Sequence, residues 1–250
     1  MKKRIVIVTG ASSGMGREFV RQLDKCMCNV DAIWVIARRK ERLQALKKEL
    51  QNLPVQILAL DICKEADLNI LAQKLEAEQP QVRLLINAAG VGKAGRFDEI
   101  TQTEAVNMVE LNNKALVAVT HMVLPYMIAK SNIIQMASAS AFMPQKEFAV
   151  YAASKAFALS FSRALRAELK CRGIIVTTIC PGPVDTEFLS ISNAGREAKP
   201  LKKLVTAKAK PVVAKALRDA KAGKELSIYG FPMKAVFLAG KLLPHGLFLR

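Results

Sequence analysis

Short, continuous apolar runs alternate along the chain with longer amphipathic ones. The short runs cover 5–9, 32–37, 55–60, 82–87, 132–138 and 174–179. They are rich in Val and Ile and carry no polar alternation, as strands do when both faces of a parallel sheet are covered. The longer runs repeat their apolar positions at helical spacing. One covers 14–25. Another covers 40–51, with Leu43, Leu46 and Leu50 on one face, and a third covers 64–79, with Leu68, Leu71 and Leu75. A long helix is expected over 101–130, with Pro125 near its end, and another over 150–172, stopped by Gly173. A weak strand pattern at 225–229 brings the sheet to about seven strands. Strict alternation of strand and helix predicts an α/β fold: a doubly wound parallel sheet with right-handed crossovers and helices on both faces. No composition shift or repeat divides the chain, so residues 1–250 are expected to form a single domain. The least regular stretch, 181–211, follows a strand's carboxyl end, where such sheets bind ligands; it is read as a substrate loop with one or two short helices.

Composition narrows the class. The 250 residues are 51% hydrophobic, enough for a sizeable core. No apolar run reaches the ~18–20 residues of a membrane span. Met1-Lys2-Lys3-Arg4 resembles the start of a secretion signal, but the apolar stretch behind it is too short for one, so a cytoplasmic protein is expected. The cysteines (Cys26, Cys28, Cys63, Cys171 and Cys180) are odd in number and scattered, which fits reduced thiols. Cys26-x-Cys28 is too tightly spaced for a structural zinc site, and with only His121 and His245 available no metal is expected. The net charge of +17 admits nucleic acid, an anionic membrane or an anionic ligand as partner. No interleaved basic and aromatic pattern supports nucleic acid. Much of the excess falls late, at Lys202, Lys203, Lys208, Lys210, Lys215, Arg218, Lys221 and Lys224. These form either a solvated loop and helix face or an attraction for an anionic substrate or lipid headgroups.

The first strand ends in Thr9-Gly10-Ala11-Ser12-Ser13-Gly14-Met15-Gly16, and a helix begins there. Gly10 allows a tight turn, Gly14 a close approach of pyrophosphate to the backbone, and Gly16 close packing of helix on sheet. The helix start offers free N–H groups and a partial positive charge to phosphate. At the first strand–helix junction of a βαβ pattern, this turn points to a dinucleotide. The second strand ends in Ala37-Arg38-Arg39, where an acid would bind a ribose 2′-hydroxyl and an arginine a 2′-phosphate. Arg38 therefore favours NADP(H), although Arg38, Arg39 and Lys40 would equally open a basic helix. Asp61, followed by Ile62 at the end of the third strand, is a candidate for the adenine amino group or for a helix cap. Asn87-Ala88-Ala89-Gly90 ends the fourth strand with small residues that leave space for a cofactor.

Tyr151-Ala152-Ala153-Ser154-Lys155 begins a predicted helix, and its i and i+4 positions share a face. An ammonium beside a phenol favours the phenolate, so Tyr151 is expected to have a lowered pKa and to act as a general acid or base. Taken together, Thr9–Gly16, Asn87–Gly90, Asn112, Ser138, Tyr151 with Lys155, and Pro181-Gly182-Pro183-Val184-Asp185-Thr186 resemble, in order and spacing, the short-chain dehydrogenase/reductase family. The resemblance covers residues 2–186. It implies a Rossmann-like fold and an NADP(H)-dependent oxidoreductase that interconverts a secondary alcohol and a ketone or aldehyde. It implies that Tyr151 exchanges the proton, that Ser138 orients the carbonyl, and that Lys155 tunes Tyr151 and holds the nicotinamide ribose. Asn112, or alternatively the adjacent Asn113, would hold a water leading from Lys155 to solvent. Pro181, Gly182, Val184 and Thr186 would contact the nicotinamide end, while Asn87, Ala88 and Gly90 border the cofactor. A homodimer or homotetramer built on two long helices would be usual for the family. Ala137 replaces a frequent second serine, Ala115 a frequent glycine, and Asn113 after Asn112 is less usual; no catalytic group is lost.

The tail, 229–250, mixes Phe231, Met233, Val236, Phe237, Leu238, Leu242, Leu243, Leu247 and Phe248 with Lys234, Lys241 and Arg250. It reads as a helix covering the substrate pocket or a neighbouring subunit, or as an interfacial membrane helix. A lipid-like carbonyl such as a steroid or fatty-acyl derivative then becomes a candidate substrate. The alternative function is a non-catalytic, NADP-binding redox-sensing regulator, which would not need an intact Ser138, Tyr151 and Lys155.

Overall fold

The structure, a computed structural model, describes residues 2–27, 29–192 and 205–249. Parts of two expectations therefore lie outside the described residues: the 193–204 portion of the substrate loop, with Lys202 and Lys203, and the positions Cys28 and Arg250.

The chain runs β1 (Arg4–Thr9), α1 (Gly14–Cys26), β2 (Ala32–Ile36), α2 (Lys40–Glu49), β3 (Val55–Leu58), α3 (Glu65–Glu78), β4 (Gln81–Asn87), α4 (Gln102–Val109), α5 (Leu116–Val123), β5 (Met127–Met136), α6 (Ala149–Glu168) and β6 (Ile175–Ile179). It continues through the short β7 (Val184–Asp185), α7 (Glu187–Ser192), β8 (Ala207–Lys208), α8 (Ala209–Lys221), β9 (Leu226–Ser227) and α9 (Phe231–Leu242). A seven-stranded parallel sheet has the order β3-β2-β1-β4-β5-β6-β9, with β7 and β8 pairing separately. The weak 225–229 pattern is thus the edge strand β9.

Each strand feeds both faces. Ile5 and Ile7 pack on one side with Trp34, Leu71, Leu75, Val119 and Val123. Val6 and Val8 pack on the other with Phe19, Val20, Leu23, Leu43, Leu46 and Val213. This two-sided burial is why the strands read as unbroken apolar runs. Ion pairs of Asp219 with Lys215 and Lys224 account for part of the late basic cluster on α8.

The long 101–130 helix is interrupted. Thr101 and Glu104 form a reciprocal capping box at its start. A π-helical turn at Glu110–Ala115 then separates α4 from α5. Pro125, in the 3₁₀ turn Leu124–Tyr126, ends the helix, so β5 starts at Met127 rather than at 132. Lys130 takes a left-handed φ of 65° inside β5, and the pairing register shifts across that bulge. Apolar periodicity alone does not register either break. No described helix is long and apolar enough to cross a membrane.

Candidate active site

Strand order reverses direction between β1 and β4, whose last paired residues are Thr9 and Asn87. A cleft of about 960 Å³ opens at that switch point, on the carboxyl edge of the sheet. One end is walled by Gly10, Ser12, Ser13, Gly14, Met15 and Gly16 with Arg38, Arg39, Asp61 and Ile62. The other end is walled by Ser138, Tyr151 and Lys155 with Pro181, Gly182, Val184 and Thr186, and Ala88 and Gly90 lie between.

The glycine turn is sterically committed. A Cβ on Gly10, whose φ is +68°, would stand 2.7 Å from the Ala89 nitrogen, and one on Gly16 would stand 2.3 Å from the Gly10 oxygen. Ser13 stands at the N-cap of α1 but its hydroxyl makes no capping hydrogen bond to the helix backbone, and the first turn carries no acid. Its N-terminal end is thus left open for an anion. Together with the length of the cleft, this fits a dinucleotide. Arg39 donates to the hydroxyls of Ser12 (3.2 Å) and Ser13 (2.9 Å) and so faces the glycine turn, while the exposed Arg38 lines the same cleft.

Two predicted residues do not line the cleft. Asn87 is buried beneath it and donates to Thr120 Oγ1 (2.9 Å) and Gln135 Oε1 (3.0 Å), so its side chain ties β4 to α5 and β5. Asn112 is buried in the π turn. Its Nδ2 donates to the Val91 carbonyl (2.8 Å) and to Ser154 Oγ (3.0 Å), and its Oδ1 accepts from the Val91 N–H (2.9 Å). It clamps the end of β4 to α6. A Cβ on Gly90 would stand 3.1 Å from Asn112 Oδ1 and 3.2 Å from Lys155 Nζ, so a side chain there would press on both.

Tyr151 and Lys155 lie on the buried face of α6, and Ser138 ends the segment after β5. Ser138 Oγ accepts from the Ser140 N–H at 3.1 Å. Lys155 Nζ donates to the Met136 carbonyl at 3.0 Å and lies 5.7 Å from the Tyr151 ring centre. The expected lowering of the Tyr151 pKa is not found. Burial pushes the phenol up to about 12, and a hydrogen bond with Ser138 offsets only part of that. Burial also pulls Lys155 down to about 8, with Cys180 opposing. Desolvation disfavours the charged form of both groups and is the largest cause at each. At neutral pH Tyr151 is therefore a proton donor.

The surroundings of Tyr151 were not legible in any motif. Phe148 stacks on its ring at 4.3 Å, and Phe188 lies tilted at 5.6 Å. Met143, Ile191, Met233 and Val236 complete an apolar wall. The helix α9 sits against this end. A Cβ on Gly182 would meet Met233 Sδ at 2.4 Å, one on Gly240 would meet the Phe142 carbonyl at 2.6 Å, and Phe237 meets Phe142 edge-on at 5.0 Å.

This arrangement, a phosphate-ready glycine turn joined by one cleft to a buried serine, tyrosine and lysine, defines a class of nucleotide-dependent oxidoreductase. The sequence model of the short chain dehydrogenases matches residues 4–197, and the chain belongs to that family. It is 35% identical over 202 residues to sulfoacetaldehyde reductase 2 of Chromohalobacter salexigens, covering 78% of each chain. It is likewise 35% identical over 203 residues to the NADP-dependent 3-hydroxy acid dehydrogenase YdfG of Escherichia coli K12, covering 78% of this chain and 79% of that one. A short-chain dehydrogenase from Sphingobium yanoikuyae, solved in complex with NADPH, superposes with a TM-score of 0.82 at 27% identity, over 98% of this chain and 94% of that one.

Proposed function

We propose that the protein is an NADP(H)-dependent oxidoreductase that reduces a ketone or aldehyde to an alcohol, and runs the reverse, with Tyr151 as the acid and base. The observation that carries this reading is the buried set of Ser138, Tyr151 and Lys155 at the inner end of the cleft that begins at the glycine turn. The turn and the start of α1 would hold the pyrophosphate, Arg38 and Arg39 the 2′-phosphate, Asp61 and Ile62 the adenine, and Lys155 the nicotinamide ribose. Pro181, Gly182, Val184 and Thr186 would border the nicotinamide. Bound there, NADPH supplies the hydride. Ser138 orients the substrate carbonyl oxygen. Tyr151 donates its proton to that oxygen, a downhill transfer because an alkoxide is more basic than a phenolate. Asn112 Oδ1 and Lys155 Nζ both border Gly90, and Asn112 would hold there a water that passes protons onward. The phenyl and thioether groups around Tyr151 desolvate the reacting oxygen and so strengthen each of these hydrogen bonds.

The same wall argues for a bulky, lipophilic substrate. Apart from Lys155, the only described lysine or arginine lining the substrate end is the exposed Lys146. A steroid or fatty-acyl ketone fits that lining better than a small anionic aldehyde. The helix α9 roofs the pocket while exposing Phe231, Leu238 and Leu242, with Lys234 and Lys241 beside them, a mixture suited to contact with an anionic membrane surface. A homodimer or homotetramer would cover Val106, Val109 and Phe157, which α4 and α6 expose around a shallow apolar hollow lined by Val117 and Met122.

The deciding assay follows NADPH and NADH absorbance with a panel of ketones, oxosteroids and 3-oxoacyl thioesters, beside Tyr151→Phe. NADPH-selective turnover that falls at least ~100-fold in the variant while NADPH binding persists supports the reading. Preference for NADH removes the role given to Arg38 and Arg39. Tight NADPH binding with no turnover on any carbonyl would favour the redox-sensing regulator.

A further inference from the structure

Glu187 has no part in the reaction described above, yet it occupies a well-made anion site. It opens α7, directly after Thr186. Its Oε1 accepts from Arg39 Nη1 at 2.8 Å, and its Oε2 accepts from Arg42 Nη1 at 2.5 Å. Arg39 follows β2, and Arg42 lies in the first turn of α2. The other face of the Arg39 guanidinium donates to Ser12 and Ser13 on the glycine turn. A carboxylate from the substrate side of the cleft thus reaches across to the nucleotide side. Two guanidiniums converging on one acidic group, one of them anchored on two serine hydroxyls of the glycine turn, make the charged donor set of a phosphomonoester site. Here the protein's own side chain fills it.

We propose that Glu187 is an internal stand-in for the 2′-phosphate of NADP(H), displaced from Arg39 and Arg42 when that phosphate binds. This rests on the NADP reading of the glycine turn and its arginines. A phosphate carries more charge and more acceptor oxygens than a carboxylate, so the exchange favours the phosphate. Its margin is smaller than on two unpaired arginines, and Glu187 therefore sets how strongly the site discriminates between phosphorylated and unphosphorylated cofactor. The carboxylate is held well below its ordinary range, near 2, by Arg39 and Arg42, so it competes as a full charge at any working pH. Arg39 is 41% exposed and Glu187 30%, so the pair is partly solvated and can be displaced at modest cost.

The exchange reaches the chemistry through the next residue. Phe188 stands 5.6 Å from Tyr151, and its ring fills the space above Gly92, where a Cβ would meet it at 2.8 Å. While Glu187 is latched, α7 is fixed at both ends of the cleft. Release by the 2′-phosphate frees the wall that Phe188 makes beside Tyr151, so cofactor binding precedes entry of a bulky ketone. A nucleotide lacking the phosphate leaves the latch closed.

The test is Glu187→Gln, which keeps shape and removes charge, titrated by fluorescence with NADPH and NADH, and with 2′-phospho-AMP and 5′-AMP as fragments. The variant should bind NADPH and 2′-phospho-AMP about threefold to tenfold more tightly, the range two surface ion pairs supply, and NADH and 5′-AMP within about twofold of the unaltered protein. Weaker NADPH binding in the variant, or an equal change for all four nucleotides, would overturn the proposal and leave Glu187 as a support for Arg39; the NADP reading would stand. If the unaltered protein already binds NADH as tightly as NADPH, the NADP reading itself fails, and the stand-in role fails with it.

Discussion

Lys155 combines a functional requirement with a cost to folding, and both can be read by changing pH. In the native protein, burial brings its pKa from the ordinary 10.5 to about 8. At pH 7 about nine-tenths of the molecules carry the ammonium, and at pH 9 about one-tenth. If the charged form is needed to bind NADPH and to stabilise the developing tyrosinate, kcat/KM for NADPH should fall above pH 8. The slope should approach tenfold per unit, with no second break below 10, because Tyr151 titrates only near 12. The stability of the cofactor-free protein should move the opposite way. Between about 8 and 10.5 the unfolded chain keeps the lysine proton and the native chain has lost it. The unfolded state binds more protons there, so stability rises with pH across that window. The full shift corresponds to about 3 kcal/mol, an upper limit for a single group. Lys155→Met keeps the volume and removes the buried charge. It should abolish turnover and raise the melting temperature at pH 7, less about 1 kcal/mol for the donor lost from the Met136 carbonyl. An activity profile flat to pH 10, or a Lys155→Met protein less stable than the parent at pH 7, would refute this account.

Other outcomes follow from the same geometry. Asp24, buried on α1, accepts the backbone N–H groups of Gln51, Asn52 and Leu53. Burial raises its pKa, but those bonds more than offset it and hold the carboxyl below its ordinary value. Asp24→Ala should cost about 2–4 kcal/mol in denaturant unfolding without altering which ketones are reduced. Gly240→Val should drive a side chain into the Phe142 carbonyl and lift α9. KM for bulky ketones should rise several-fold while the NADPH Kd stays unchanged; a parallel loss of NADPH binding would show that α9 does not act on the substrate end alone. Co-sedimentation with anionic liposomes at low salt should retain the protein, and Phe231→Ser with Leu242→Ser should release it; no binding by the parent removes the membrane reading.

Much of this protein is local and was therefore legible in its sequence. Strands buried on both faces must be apolar throughout, and helices lying on the sheet must repeat at 3.6 residues. The order of elements and the parallel sheet follow from those patterns, and even the faint edge strand Leu226–Ser227 could be found. The glycine turn and the Tyr151–Lys155 pair are also local, set by one junction and one helical turn. What the sequence could not decide depends on groups distant in the chain. The break in the long helix at Glu110–Ala115 becomes intelligible only when Asn112 meets Val91 and Ser154. Asn87 turns into the sheet because Thr120 and Gln135 wait there, some thirty and fifty residues away along the chain. The protonation of Tyr151 depends on how much water Phe148, Phe188 and α9 exclude, and no spacing of residues encodes a dielectric. The meeting of Glu187 with Arg39 and Arg42 joins residues about 145 positions apart, and only the folded cleft brings them together.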